Sequence, residues 1–376
     1  MIQQALQSAL VGLGVAVICF VPYLVYQYRR YGQFSPSRMA WMIALLIYGT
    51  ALVTYTLFPL PSQAWCAVPH PGMLELDPSL YFRDMWQMHS DGMSWMGVAT
   101  SWTMLQMALN ILLFMPLGFI VRHLWKLGVA RATLLGLGVS LLIELTQLTG
   151  NWFTAPCAYR VADISDVWTN TLGAFVGAVL ALLTPRLAAD TDALEAMRSS
   201  ARPVTRGRRW AGMLIDAVAL GVVWAGVSVV MAVGYFVIAG DTSADRQAAV
   251  AFSPVITAVA GVSCLAVVVV FALVGSGASL GQRLVYLQPV ATRPRPRFWL
   301  LVRALVVQGV ALALVLGTSS LSLFGVAWLG LAVIWVVFRP RGLSFALAGC
   351  QIVDARSRRM QLAATGDLDA AENRLP

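Results

Sequence analysis

The sequence predicts an all-α, polytopic helical membrane protein, with about nine transmembrane helices in two bundles of five and four, the N-terminus outside and the C-terminus cytoplasmic. Three observations lead there. Hydrophobic residues make up 59% of the 376 residues and charged residues 11%, whereas a soluble chain carries about 25% charged residues. Nine stretches, at 5–27, 38–60, 101–122, 131–149, 166–184, 211–239, 253–275, 299–317 and 321–338, approach the roughly 20 apolar residues that a span requires. Of the 26 lysines and arginines, all but Arg83, Arg160 and Arg246 fall on one side of those stretches, and the positive-inside rule makes that side cytoplasmic. The net charge of +9 follows from the same asymmetry. Because the arginines are dispersed among short loops, the charge predicts no nucleic-acid partner, and the partner is the lipid bilayer.

The first stretch has no basic leader and no small-residue cleavage site, so it reads as a retained span, with Tyr23, Tyr26 and Tyr28 at its inner boundary. Beyond the second span, the outer loop 61–100 is the least apolar part of the first half. Asp77-Pro78 supplies an N-cap and N1 pair for a short helix, in which Tyr81, Phe82, Met85, Trp86 and Met88 form an apolar side suited to the membrane surface. Cys66, His70 and His89 lack the paired short spacings of a metal site, and none is assigned. Cys66 and Cys157 both fall in outer loops, where a disulfide and two free thiols are both compatible with the sequence.

The third span carries Asn110 partway down and Pro116 as a kink. On the fourth, Ser140, Glu144 and Gln147 stand at i, i+4 and i+7 and share one face. After the outer turn 150–162, Asp163, Asp166, Asn170, Gly173 and Gly177 share a face of the fifth. A charge in a spanning helix costs about 3 kcal/mol on insertion scales, so the two faces should meet each other and not lipid. Glu144, Asp163 and Asp166 are thus the candidate catalytic carboxylates, with Asn110, Gln147, Arg160 and Asn170 as candidate ligand-binding residues. Gly173 and Gly177 form a small-x₃-small pair for close helix packing.

Residues 1–184 therefore form a five-helix domain, and the polar, basic, proline-bearing stretch 185–208 reads as a cytoplasmic linker. The second domain, 209–354, opens with Arg209 and Asp216. Seven residues place that aspartate about 10 Å deeper along a helix, where Arg303 or Arg283 is its expected partner and Arg209 completes a polar pair. Gly275–Arg283 reads as a tight turn, since it lacks the Lys-Ser/Thr ending of a phosphate loop. The tail, 355–376, is expected to be disordered.

The first-half motifs, Asn110 with Phe114-x-Pro116-x-Gly118, Glu144-x₂-Gln147 and Arg160-x₂-Asp163-x₂-Asp166-x₃-Asn170-x₂-Gly173, resemble the signature of the VanZ-like family over roughly residues 10–184. The second half resembles the RDD family of small membrane domains: Arg209 to Asp216 is similar to its first element, and Gly277-Ala278-Ser279-Leu280-Gly281-Gln282-Arg283 to its second. Its third element departs, with Ser344-Phe345 where the family has His-Asp. The first resemblance implies a bacterial plasma-membrane protein of the cell envelope, linked to glycopeptide antibiotic resistance; the second implies a part in transport. The expected function is binding or processing of an envelope lipid or glycan precursor, polyprenyl-linked or phospholipid-like, at the outer leaflet. In that reading Arg160 supplies bidentate donors to phosphate and a carboxylate acts as base. The alternatives are a transporter using intramembrane carboxylates and a structural accessory protein without catalysis. The sequence names no cofactor and no nucleophile.

Overall fold

The structure is a computed structural model describing residues 2–57, 59–68, 74–187, 191–239, 243–310, 319–338 and 342–357. It is mostly helical and divides into two compact units, Met1–Phe20 with Ser35–Asp190, and Val21–Phe34 with Thr191–Pro376. Among the described residues, seven helices are long and apolar enough to cross a membrane: Gly12–Tyr31, Pro36–Leu57, Trp102–Trp125, Val129–Leu148, Ile164–Leu183, Arg206–Tyr235 and Ser253–Leu273. Of the other two expected spans, 299–317 falls partly outside the described residues, and the last appears as the shorter apolar helix Leu323–Phe338. Within the seven, apolar side chains of the outward faces, such as Leu112, Leu134 and Val230, stay exposed, as lipid-facing positions do.

In the first unit the elements run α1 (Ile2–Tyr31), α2 (Pro36–Leu57), α3 (Gln63–Cys66), β1 (Leu74–Glu75), α4 (Leu80–Ser90), α5 (Trp95–Ala99), α6 (Trp102–Trp125), α7 (Val129–Leu148), the single turn α8 (Gly150–Phe153), β2 (Ala162–Asp163) and α9 (Ile164–Leu180). The core lies between α2, α6, α7 and α9, where Leu52, Phe114, Leu117, Val121, Ala132 and Ala178 pack together. Glycine brings the backbones of α6 and α9 into contact. A Cβ on Gly173 would stand 2.2 Å from Ile111 O, one on Gly177 1.9 Å from Met115 O, and one on Gly118 1.9 Å from Ala174 O. Helices can approach this closely only where no side chain intervenes.

The helix expected to open at Asp77-Pro78 opens at Leu80 instead. Asp77 closes a local turn, accepting from the amide of Ser79 at 2.9 Å and its hydroxyl at 2.6 Å, because a short carboxylate competes for nearby donors before a helix starts.

The second unit takes in the end of α1, then α10 (Thr191–Ala196), α11 (Arg206–Ala239), α12 (Ser243–Leu273), α13 (Leu280–Leu284), β3 (Leu287–Ala291), α14 (Pro296–Ala304) with a π-helical turn at Leu305–Gly309, α15 (Ser319–Phe338), α16 (Leu343–Ala348) and β4 (Cys350–Asp354). β3 and β4 pair antiparallel, Leu287 opposite Asp354. At the end of this strand pair, buried Asp354 pairs with Arg208 and Arg356, each at 2.7 Å, and takes the amide of Arg202 at 3.0 Å. Arg356 also donates to Gly32 O, which ties the C-terminal end of α1 to this unit.

Candidate functional site

The site grows from three helix ends and one loop of the first unit. Asp163 is the N-cap of α9: its backbone is extended, and its Oδ1 accepts from the amide of Ser165 at 2.7 Å, satisfying one of the orphan donors of the first turn. The amide of Asp163 itself donates to Glu144 Oε2 at 3.0 Å, so the buried glutamate near the end of α7 is fixed against the start of α9. One turn further on, Asp166 Oδ1 accepts two hydrogen bonds, from Asn110 Nδ2 of α6 at 2.7 Å and from the Tyr81 hydroxyl of α4 at 2.6 Å. The glycine contacts deeper in α9 bring α6 near enough for Asn110 to reach, since Ile111, its neighbour, is the residue touching Gly173. A turn below, Asn170 Nδ2 donates to Ser140 Oγ at 2.9 Å, while its Oδ1 is buried with no hydrogen-bond partner.

The outer loop closes over these groups. β1 pairs parallel with β2, Glu75 beside Asp163. Ser165 Oγ donates to Asp77 O at 3.0 Å, Trp168 Nε1 donates to Pro78 O at 3.2 Å, and Phe82 stacks on Trp168 with ring centroids 5.7 Å apart. Cys66 and Cys157 are joined by a disulfide across 91 residues, which anchors the loop to the segment before β2. Tyr81 is 2% exposed. Its phenol is pushed up from its ordinary value, first by burial, then by its hydrogen bond to Asp166 and the negative charges of Asp166, Asp163 and Glu144. Among the described residues, the hydrogen bonds given to Glu144, Asp163 and Asp166 fall on one oxygen of each carboxylate.

Gln147 is engaged with the neighbouring helix α2: its Nε2 donates to Thr56 O at 2.9 Å and satisfies a carbonyl in the last turn. Arg160 is half-buried beside Tyr159, whose hydroxyl donates to Leu57 O at 2.5 Å in the same last turn. Tyr81 was placed by its spacing on an apolar membrane-facing side; the structure turns it inward onto Asp166, while its neighbours Phe82 and Trp86 remain exposed. Its signal in the sequence is a hydroxyl in a stripe whose other polar tip is the indole N–H of Trp86. Among the described residues, no group of three or more His, Cys, Asp and Glu side chains is arranged to hold a metal ion. His89 stacks on Trp95, and His70 lies outside the described residues.

In the second unit, among the described residues, Asp216 takes no arginine as hydrogen-bond partner. Ser279 Oγ donates to it at 2.6 Å and the amide of Gly281 at 2.7 Å. Arg209 lies over the Phe345 ring at 5.2 Å, Arg283 donates to Ala278 O and Val274 O, and Arg303 donates to Gly277 O at 2.8 Å. The physical reason is the close packing of α13 on α11: a Cβ on Gly281 would stand 2.0 Å from Gly212 O, so the Gly281 amide and the Ser279 hydroxyl at the start of α13 reach the aspartate first.

Residues 45–185 match the VanZ/LLP1 family, a stretch that begins within α2, ends just past α9 and contains the whole carboxylate cluster with Tyr81. No curated protein and no solved structure matches the chain. The match and the apolar helices are consistent with a multi-pass membrane protein of the cell envelope.

Proposed function

We propose that the first unit binds or processes an envelope lipid or glycan precursor at the outer leaflet of a bacterial plasma membrane, and that this activity links it to glycopeptide resistance as a VanZ-like protein. The observation that carries this reading is the acidic cluster of Glu144, Asp163 and Asp166 under one loop, with Asp166 held by Tyr81 and Asn110 and Glu144 by the Asp163 amide. Ionisable groups at membrane depth are functional by default, because burying them otherwise gains nothing. Among the described residues the buried Asn170 Oδ1 has no hydrogen-bond partner, and the carboxylates beside it are acceptors, so a ligand that brings donors fits the cluster. Sugar hydroxyls and amino groups meet that need. Arg160, three residues before Asp163, is the cation we assign to the phosphate of a lipid-linked precursor.

The disulfide supports placing this end of the bundle in an oxidising compartment. The arginine-rich segments at the opposite helix ends support the same orientation, since basic loops stay cytoplasmic. A carboxylate with a free oxygen near a bound hydroxyl is placed to act as a general base, which is how processing would follow binding. Residues 209–354, within the second unit, we read as an RDD-like module.

Asp163→Asn and Glu144→Gln, expressed separately at native levels in a host deleted for this protein, test the proposal through glycopeptide susceptibility. Each substitution keeps the shape and removes the charge. Loss of protection with normal membrane accumulation is the expected result; full protection by both variants overturns it.

A further inference from the structure

The second unit contains a cavity of about 250 Å³ between α11, α12, the turn before α13 and the end of α14. That is about eight times the share of liquid volume that one water takes, so it holds a small ligand or one end of a larger one. Its walls are mainly aliphatic, Val223 and Val268 among them, interrupted by Asp216, Ser279, Arg303 and Gln308.

Those polar groups are unequally served. Asp216 already takes a hydroxyl and an amide, one on each oxygen. Arg303 is 6% exposed, donates through Nη2 to Gly277 O, rests on the Phe345 ring at 5.1 Å, and has a buried Nε with no hydrogen-bond partner. A buried guanidinium N–H without an acceptor is a rare arrangement that an occupant can relieve. The formal charges of Asp216 and Arg303 cancel, so the lining favours neither a cation nor an anion. What it lacks is an acceptor oxygen on an apolar body.

We propose that this cavity binds the ester end of an uncharged single-chain lipid, with the ester carbonyl accepting from Arg303 and the first carbons of the chain between α11 and α12. It is a separate site from the carboxylate cluster of the first unit.

Photolabelling of the full chain in nanodiscs tests this with a monoacylglycerol carrying a diazirine on the carbons next to its ester. Mapped adducts should concentrate on the wall residues near Val223 and Val268, and excess unlabelled monoacylglycerol should remove them. Ala219→Phe fills the cavity from a half-buried position and should reduce the adducts about tenfold while the unfolding midpoint stays that of the wild type. Arg303→Lys, which keeps the charge and removes Nε, should weaken labelling as well. Adducts spread evenly onto lipid-facing Val222, Val229 and Val230 would overturn the site. Equal labelling by the matching diazirine fatty acid would overturn the preference for an uncharged head.

Discussion

At the scale of single residues, Asp166 depends on two donors that come from distant parts of the chain, Asn110 and Tyr81. Hydrogen bonds to a charged group are each worth about 1.5–3 kcal/mol, so Tyr81→Phe should lower unfolding stability by that amount, as chemical denaturation in detergent would measure; an unchanged midpoint contradicts the assigned bond. Asp354 makes a second, pH-linked prediction. Burial acts to raise its carboxyl, but hydrogen bonds from Arg356 and Arg208 outweigh it and hold the group well below the usual carboxylate range. A depressed folded-state value means the stabilisation is complete above the unfolded value of about 3.9 and is lost as pH falls below it. The stability difference between wild type and Asp354→Asn should therefore be constant from neutral pH to about 5 and shrink under acid; a difference that grows with acid contradicts the pairing. Periodicity exposed Glu144, Asp163 and Asp166 because polar residues at helical spacing stand out in an apolar chain. Tyr81 and Asp354 were less legible, since one sits in an aromatic stripe and the other in a short strand whose partner lies about sixty residues earlier.

At the scale of elements, α6 and α9 meet backbone to backbone at Gly118, Gly173 and Gly177. Gly173→Leu has no room beside Ile111 O, and overpacking of this kind costs about 1–3 kcal/mol or more, so its folded yield should fall. Gly138→Ala, with open space around its Cβ, should be neutral or slightly stabilising, by up to about 1 kcal/mol. Comparing folded yield of the two variants checks the packing, and equal yields contradict it. The loop carrying α4 is fastened by the Cys66–Cys157 disulfide, and closing a loop of this length is worth about 4–5 kcal/mol in the chain-entropy account. Reductant should accordingly lower the melting temperature of the wild type and leave a Cys66→Ser, Cys157→Ser double variant unaffected. The small-x₃-small pair was readable from spacing alone, but the pairing of the two cysteines was not, because separation along a chain says nothing about distance in space.

At the scale of the whole molecule, apolar length and arginine placement are enough to read a polytopic helical membrane protein, and seven helices long and apolar enough to cross a membrane stand among the described residues. The division into units is less apparent from sequence. Val21–Phe34 belongs with the second unit although it continues the first helix, because Arg356 reaches Gly32 O and Arg30 pairs with Glu195 at 2.9 Å. Such contacts join residues more than 160 positions apart, beyond any local pattern. The proposal for the first unit rests on its acidic cluster engaging a donor-rich ligand beneath a stapled loop. The most direct measurement is binding of a polyprenyl-linked amino-sugar precursor to the purified chain in nanodiscs, for wild type and for Asp166→Asn and Glu144→Gln variants with matched unfolding midpoints. The account predicts saturable wild-type binding and a loss of about tenfold or more in each variant, corresponding to at least 1.4 kcal/mol. Equal affinity in all three proteins, or no saturable binding to the wild type, contradicts it.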